Sequence, residues 1–416
     1  MGWKRFFTGL TIGCIVSLVL ACTSTALQLP ESTRGDQATT PSTVVLWEST
    51  AASAPAALAP TPDAGRVEAP SLGSIAQAGP QALYDPPRGD ARFVVISDLN
   101  GAYGSTDYDP EVDQAIALVP FWNPDLVLCS GDMIAGQRTS LTRAQIQAMW
   151  AAFDRHVAAP LRSAGVPFGF TIGNHDGSGS RSNGSFTFQQ ERDLAAAYWT
   201  DPRHDPGVDF VDRRQFPFYY SFRQGEVFFV VWDGSTSRIP AEQLAWVEAT
   251  LASPEAQQAQ MRVLIGHLPL YAVAEGRDRP GEVMNDPDGL RRLLERYDVH
   301  TYISGHHHAY YPGHRGDLQL LHTGALGGGP RSLIGSDLPR TKTLTVVDVN
   351  FSDPDLTTYT TYAMGSLRPV AMGSLPRFLT GHNGLVLRRD VTWADLTPGE
   401  RDRCTQQLDA NRCRPT

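Results

Sequence analysis

Short apolar, β-branched runs recur through the middle of the chain, each closed by a polar turn. They are Phe93-Val94-Val95-Ile96, Leu126-Val127-Leu128, Phe168-Gly169-Phe170-Thr171-Ile172, Val227 to Trp232, Val263-Leu264-Ile265 and Thr301-Tyr302-Ile303. Unbroken runs of this length, without alternation, predict strands buried on both faces. Amphipathic stretches separate them. One opens with the capping box Thr142-Arg143-Ala144-Gln145 and runs past Trp150 and Phe153. Another starts at Pro240, suited to a first helical position, and continues through Leu244, Trp246, Val247 and Leu251. Strands alternating with helices, then strand-rich sequence toward Val349, predict an α/β sandwich.

The flanks read differently. Met1-Gly2-Trp3-Lys4-Arg5 precedes an apolar run from Phe6 to Leu20, the layout of a secretory leader. That run ends Leu18-Val19-Leu20-Ala21-Cys22, which resembles a bacterial lipobox. Residues 1–21 are therefore expected to be removed and Cys22 to be lipidated. The protein would then be exported and held on a membrane surface, facing the periplasm or the outside. A cut after Ala26, or an uncleaved anchor, is the alternative. Residues 22–91 are rich in Ala, Pro, Ser and Thr and too poor in large apolar side chains to offset their ordering entropy. They are expected to be a disordered tether to a domain at 92–365, with 366–416 as a C-terminal extension packed on it.

Composition narrows the partners. With 416 residues, 41% of them hydrophobic, the chain can bury a substantial core. A net charge of −9 without a basic run makes the chain a poor candidate for non-specific nucleic-acid binding, and no nucleic-acid partner is expected. No apolar run reaches the ~20 residues of a membrane-spanning helix, which excludes a polytopic membrane protein. Of five cysteines, Cys14 leaves with the leader, Cys22 carries lipid, and Cys129 lies in an apolar run where a buried, inert thiol is expected. Cys404 and Cys413 remain, in a chain bound for an oxidising compartment. They are expected to form a disulfide, with two free thiols as the alternative.

The strand-like runs end in Asp98-Leu99-Asn100, Gly131-Asp132, Gly173-Asn174-His175-Asp176, Gly266-His267 and Gly305-His306-His307-His308. Ligands of open α/β sheets bind beyond the carboxyl ends of strands, so these clusters would converge on one crevice. A single such cluster commonly caps backbone amides; five together point to metal. Carboxylate, carboxamide and imidazole without thiolate suit Mn, Fe or Zn and argue against a cysteine-zinc site.

The order Gly-Asn-His-Asp then Gly-His-x-His resembles the calcineurin-like metallophosphoesterase superfamily over roughly residues 92–365. Gln243-Leu244-Ala245-Trp246, His267-Leu268-Pro269-Leu270-Tyr271 and His308-Ala309-Tyr310 resemble its purple acid phosphatase branch. The resemblance implies two mixed β-sheets flanked by helices, an α/β/β/α sandwich. It also implies a phosphoesterase acting on a small phosphate ester through a hydroxide activated between two divalent or trivalent ions. Asp132 would bridge the ions. Asp98 and His308, with Asn100 as a weaker ligand, would hold the first, and Asn174, His267 and His306 the second. His175 would give a proton to the leaving oxygen, and Asp176 would orient its imidazole.

Two positions depart from the pattern. The family's first motif usually ends in His where this chain has Asn100, so the first ion would be looser or a harder metal such as Mn or Mg. The branch's metal-binding Tyr is replaced by Ala135, and nothing in the spacing demands that Tyr103 take its place. Asn100 leaves open a second reading, a catalytically impaired surface lipoprotein using the fold as a binding scaffold. His307 is expected to be a solvent or supporting residue, His322 to line the site weakly, and Arg331 to be a surface arginine. Specificity is expected from the insert Gly177 to Pro217, with Trp199 and Phe210.

Overall fold

The computed structural model describes residues 83–414. The leader, Cys22 and nearly all of the tether lie outside the described residues. One sheet carries β1 (Ala91–Ile96), β2 (Leu126–Cys129) and β3 (Phe168–Phe170) in parallel. On the other side of β1, β13 (Thr343–Val349), β14 (Thr358–Ala363) and β15 (Arg368–Pro369) are added antiparallel. A small hairpin, β4 (Arg181–Ser182) and β5 (Ser185–Phe186), stands apart.

The second sheet holds β6 (Asp209–Gln215), β7 (Tyr219–Gln224), β8 (Val227–Val231), β9 (Met261–Ile265) and β10 (Val299–Ser304), followed in sequence by β11 (Tyr311–Arg315), β12 (Leu318–His322), β16 (Phe378–Gly381) and β17 (Gly384–Arg388). Its order is β16-β17-β11-β12-β10-β9-β8-β7-β6, with β8, β9, β10 and β12 parallel.

The sheets meet face to face, Phe93 of β1 standing edge-on to Phe229 of β8 with centroids 5.4 Å apart. Every residue of β1, β2 and β8 is buried, as unbroken apolar runs require. Arg92 breaks the apolar pattern of β1. It is admitted to the interior because its register partner on β13, Asp348, accepts from Nε at 2.8 Å. Helices cover both outer faces. Pro110–Trp122 brings Trp122 against Tyr362 of β14, while Ala241–Leu251 and Pro287–Arg296 pack on the second sheet. Thr142 and Gln145 form the expected capping box of the helix Arg143–Phe153. Pro240 caps its helix in an extended conformation, ψ 146°, and the helix proper begins one residue later.

The residues after 365 are built into the sheets, through β15 on β14 and β17 on β11. Beyond them Leu385, Leu387, Leu396 and Leu408 gather with Cys404 and Cys413 in a second small core. Those two cysteines are disulfide-bonded, Cα to Cα 5.8 Å, and Cys129 is a free, buried thiol. Among the described residues no helix is long and apolar enough to cross a membrane.

Candidate metal centre

The loops leaving β1, β2 and β3 of one sheet and β9 and β10 of the other meet at one edge of the sandwich. Their backbones are stitched together there. The Asp98 and Leu99 amides donate to the Gly131 and Asp132 carbonyls, and the Gly305 amide donates to the His267 carbonyl. Two glycines make the close approach possible. Gly131 has φ +99°, and a Cβ on it would stand 2.6 Å from His267 Nδ1. A Cβ on Gly173 would lie 2.2 Å from Asp132 Oδ1. Asp98, Asp132, His306 and His308 all have positive φ, between 50° and 64°. Left-handed backbone costs a non-glycine residue about 1–3 kcal/mol and gathers at functional sites.

Two groups of side chains with metal-ligand chemistry result, Asp132 with His267 and His306, and Asp98 with Asp132 and His308. Within each group the ligand atoms lie within 4.8 Å of one another, and Asp132 belongs to both. Each imidazole is pinned through one nitrogen, leaving the other for the crevice. Nδ1 of His267 faces the Ser130 carbonyl at 2.8 Å, Nδ1 of His308 faces the Gly329 carbonyl at 3.0 Å, and Nε2 of His306 faces Glu282 Oε2 at 2.9 Å. Bonds of this kind fix the tautomer and orientation of metal-binding histidines.

The donor set passes a direct test of fit. Asn174 donates its amide to Gln137 Oε1 at 2.8 Å, so its oxygen faces His267 Nε2, also at 2.8 Å. Asp132 Oδ2 lies 3.2 Å from the same nitrogen. With the His267 proton on Nδ1, three lone-pair atoms point at one another, and either a second proton on Nε2 or a cation among them satisfies the set. Asp98 Oδ1 repeats it, 3.3 Å from His308 Nε2. Burial opposes charge on these groups and the contacts restore it. His267 rises to about 9 beside Asp132, while His267 and His175 hold Asp132 far below the carboxylate range. His306 is pushed down to about 4 by burial, against the bond to Glu282.

His175 borders this crevice with Nδ1 on the Gly136 carbonyl at 3.1 Å and Nε2 3.9 Å from Asp132 Oδ2. Its orientation does not come from Asp176, contrary to the expectation. The Asp176 carboxylate instead accepts the backbone N–H groups of Asp132, Met133, Ile134 and Gly173 at 2.7–2.9 Å. Burial and the neighbouring Asp132 charge push it up to about 7, against these four donors. Tyr103, half exposed, packs on the His175 ring with centroids 5.0 Å apart. Asn100 is buried, and its main-chain carbonyl accepts from the Gly328 amide.

Other expectations shift. For His307 the supporting alternative holds and the solvent one does not: it is fully buried, with its ring between the Val273 amide and the carbonyl of Glu282, the partner of His306. His322 joins neither group; it is buried at the end of β12, with Nδ1 on the Tyr311 carbonyl. Trp199 stacks on Phe170 at 3.9 Å in the core, so its bulk serves packing. Ser97, Gln137 and Glu282 had no sequence signal. Ser97 donates to Asp98 Oδ2 at 2.7 Å, and Glu282 accepts from His306, Arg277 and Arg279.

A two-sheet sandwich with paired Asp/His groups at the strand ends defines a metal-site α/β protein. The chain belongs to the calcineurin-like phosphoesterase family, whose model matches residues 91–310. No curated protein matches it. Among solved structures it is similar to the purple acid phosphatase PPD1 from yellow lupin seeds, at 17% identity and TM-score 0.49 over 69% of this chain and 54% of that one. It is also similar to GAP50, the anchor in the inner membrane complex of Plasmodium, at 13% identity and TM-score 0.44 over 68% and 87%. A dimetal phosphatase from Danio rerio gives 14% identity and TM-score 0.43 over 68% and 98%. The chain thus spans about half of the lupin protein's length.

Proposed function

We propose that the protein is a phosphoesterase that hydrolyses a small phosphate ester with two metal ions. Asp98, His308 and Asp132 would hold one ion, with Asn100 as a weak additional ligand. Asp132, Asn174, His267 and His306 would hold the other. A donor set of oxygen and imidazole nitrogen without thiolate suits Mn, Fe or Zn. When bound, such ions neutralise a phosphoryl group and make water more acidic. His175 supplies the proton for the departing alkoxide from Nε2, since Nδ1 is tied to Gly136. Asp176 holds the turns that carry Asp132 and His175.

The observation that carries this reading is the approach of Asn174 Oδ1 and Asp132 Oδ2 to Nε2 of His267. Metal-loaded protein is expected to bind about two ions per chain and to turn over p-nitrophenyl phosphate. Asp132→Asn and His267→Ala are each expected to lose metal and nearly all turnover. Wild-type turnover in Asp132→Asn would overturn the reading.

We further propose that the protein is exported and anchored through lipidated Cys22. The basic-then-apolar leader ending in Leu-Ala-Cys and the Cys404–Cys413 bond support an oxidising, extracytoplasmic location. Cys22→Ser should move the protein from the membrane to the soluble fraction.

A further inference from the structure

A cavity of about 220 Å³ lies beside the segment that follows His308. It begins at Ala309, the residue after His308, and its walls include Tyr310, Leu333, Leu338, Val370 and Leu375. Arg331 is the one charged side chain in its lining, and the Arg331 amide donates to the His308 carbonyl at 3.0 Å. Through Ala309 and Arg331 the cavity wall is therefore tied to the backbone of the residue whose imidazole faces Asp98.

Arg331 is an incompletely satisfied cation. Among the described residues it makes no ion pair, and its Nε is buried without a hydrogen-bond partner. Nearby acids are already engaged. Glu282 is taken by His306, Arg277 and Arg279, and Glu275 accepts from the Gly335 amide. The other charges that act on it, Arg277, Arg279 and Arg340, share its sign, and burial with this repulsion lowers its pKa. A half-buried guanidinium without a carboxylate is costly unless an anion arrives to pair with it.

We propose that this cavity receives the alcohol half of the substrate and that Arg331 selects esters whose alcohol carries its own anionic group on an apolar body. The inference rests on the phosphoesterase reading. Ions held at the strand ends would take the phosphoryl charge, so a second anion on the leaving half needs a separate cation. Arg331 supplies it from a mostly apolar wall, where a charge-assisted bond is strong.

The probes are 4-carboxyphenyl phosphate and its neutral analogue 4-carbamoylphenyl phosphate, with metal-loaded full-length protein. Wild type should favour the carboxylate in kcat/KM. Arg331→Gln should lower kcat/KM for the carboxylate at least tenfold more than for the carbamoyl ester, chiefly through KM, and Arg331→Lys should keep part of the preference. Arg340→Gln, outside the cavity lining, should keep the wild-type ratio. Equal losses on both esters in Arg331→Gln, or the same loss of preference in Arg340→Gln, would overturn the inference while leaving the phosphoesterase reading in place. No turnover of either ester or of p-nitrophenyl phosphate by the wild type would overturn both.

Discussion

Glu282 accepts a hydrogen bond from Nε2 of His306 at 2.9 Å, across 24 residues of sequence. The bond leaves Nδ1 of His306 as the atom free to meet a cation. The bond to His306, with bracing from Arg277 at 2.5 Å and Arg279 at 2.8 Å, holds the Glu282 carboxyl well below the usual range against its burial. A carboxylate behind a ligating imidazole raises its basicity and fixes its ring. Glu282→Ala should therefore weaken the second ion by about 10–100-fold. Glu282→Gln, which still accepts a bond, should lose less. Metal titration followed by elemental analysis checks both, and unchanged affinity in Glu282→Ala would refute the role.

His175 is expected to act on the leaving group and not on the ions. Its Nε2 is 3.9 Å from Asp132, and its ring is set by the Gly136 carbonyl and the face of Tyr103. His175→Ala should reduce kcat for an alkyl phosphate by about 10²–10⁴-fold, a normal range for general acid catalysis. The loss should be much smaller for p-nitrophenyl phosphate, whose leaving group needs little protonation. Metal content should stay at the wild-type value. Equal losses on both substrates would place His175 in another role.

The residues that could be read from sequence are those that end strands. Asp98, Asp132, Asn174, His267, His306 and His308 each follow an apolar run, and sheet topology brings such ends together. Glu282 and Gln137 could not be read this way. Their partners lie 24 and 37 residues away, and their own surroundings carry no periodic or motif signal. The role of Asp176 is hidden in the sequence for a local reason. It follows His175 in the short helix Asn174–Gly177, where successive side chains leave in different directions. From the third helical position its carboxylate turns back onto the Gly173 amide and the β2 loop. Arg331 reads as a surface residue from sequence because nothing local reveals that the 309–310 and 370–375 segments wall it in.

Asp176 yields a stability prediction. Four backbone donors converge on it, and an amide offers one acceptor and a donor of its own in their place. Asp176→Asn should cost about 2–4 kcal/mol of apoprotein stability, the scale of leaving several buried N–H groups unpaired. Denaturant unfolding measures it. A variant of wild-type stability with only a changed pH–rate profile would instead favour a direct action on His175.

Part of the acid sensitivity should come from two histidines outside the metal groups. Burial pushes His300 and His322 down to about 4 from an ordinary 6.5, Arg389 adding to the effect at His300. Above pH 6.5 both are neutral in the folded and unfolded chain and contribute nothing to the pH dependence. As pH falls below 6.5 the unfolded chain takes up protons that the folded chain refuses. Their contribution to stability therefore drops between about pH 6.5 and 4 and stays constant below. A shift of this size corresponds to about 3 kcal/mol for each group. His322→Asn keeps a donor toward the Tyr311 carbonyl but cannot titrate, so it should flatten the slope in apoprotein unfolding measured across this range. His300→Asn should do so independently, because the pairing of β10 with β12 sets His322 opposite Ser304, at the far end of the strand from His300. A slope unchanged in the double variant would mean that other groups set the acid limit.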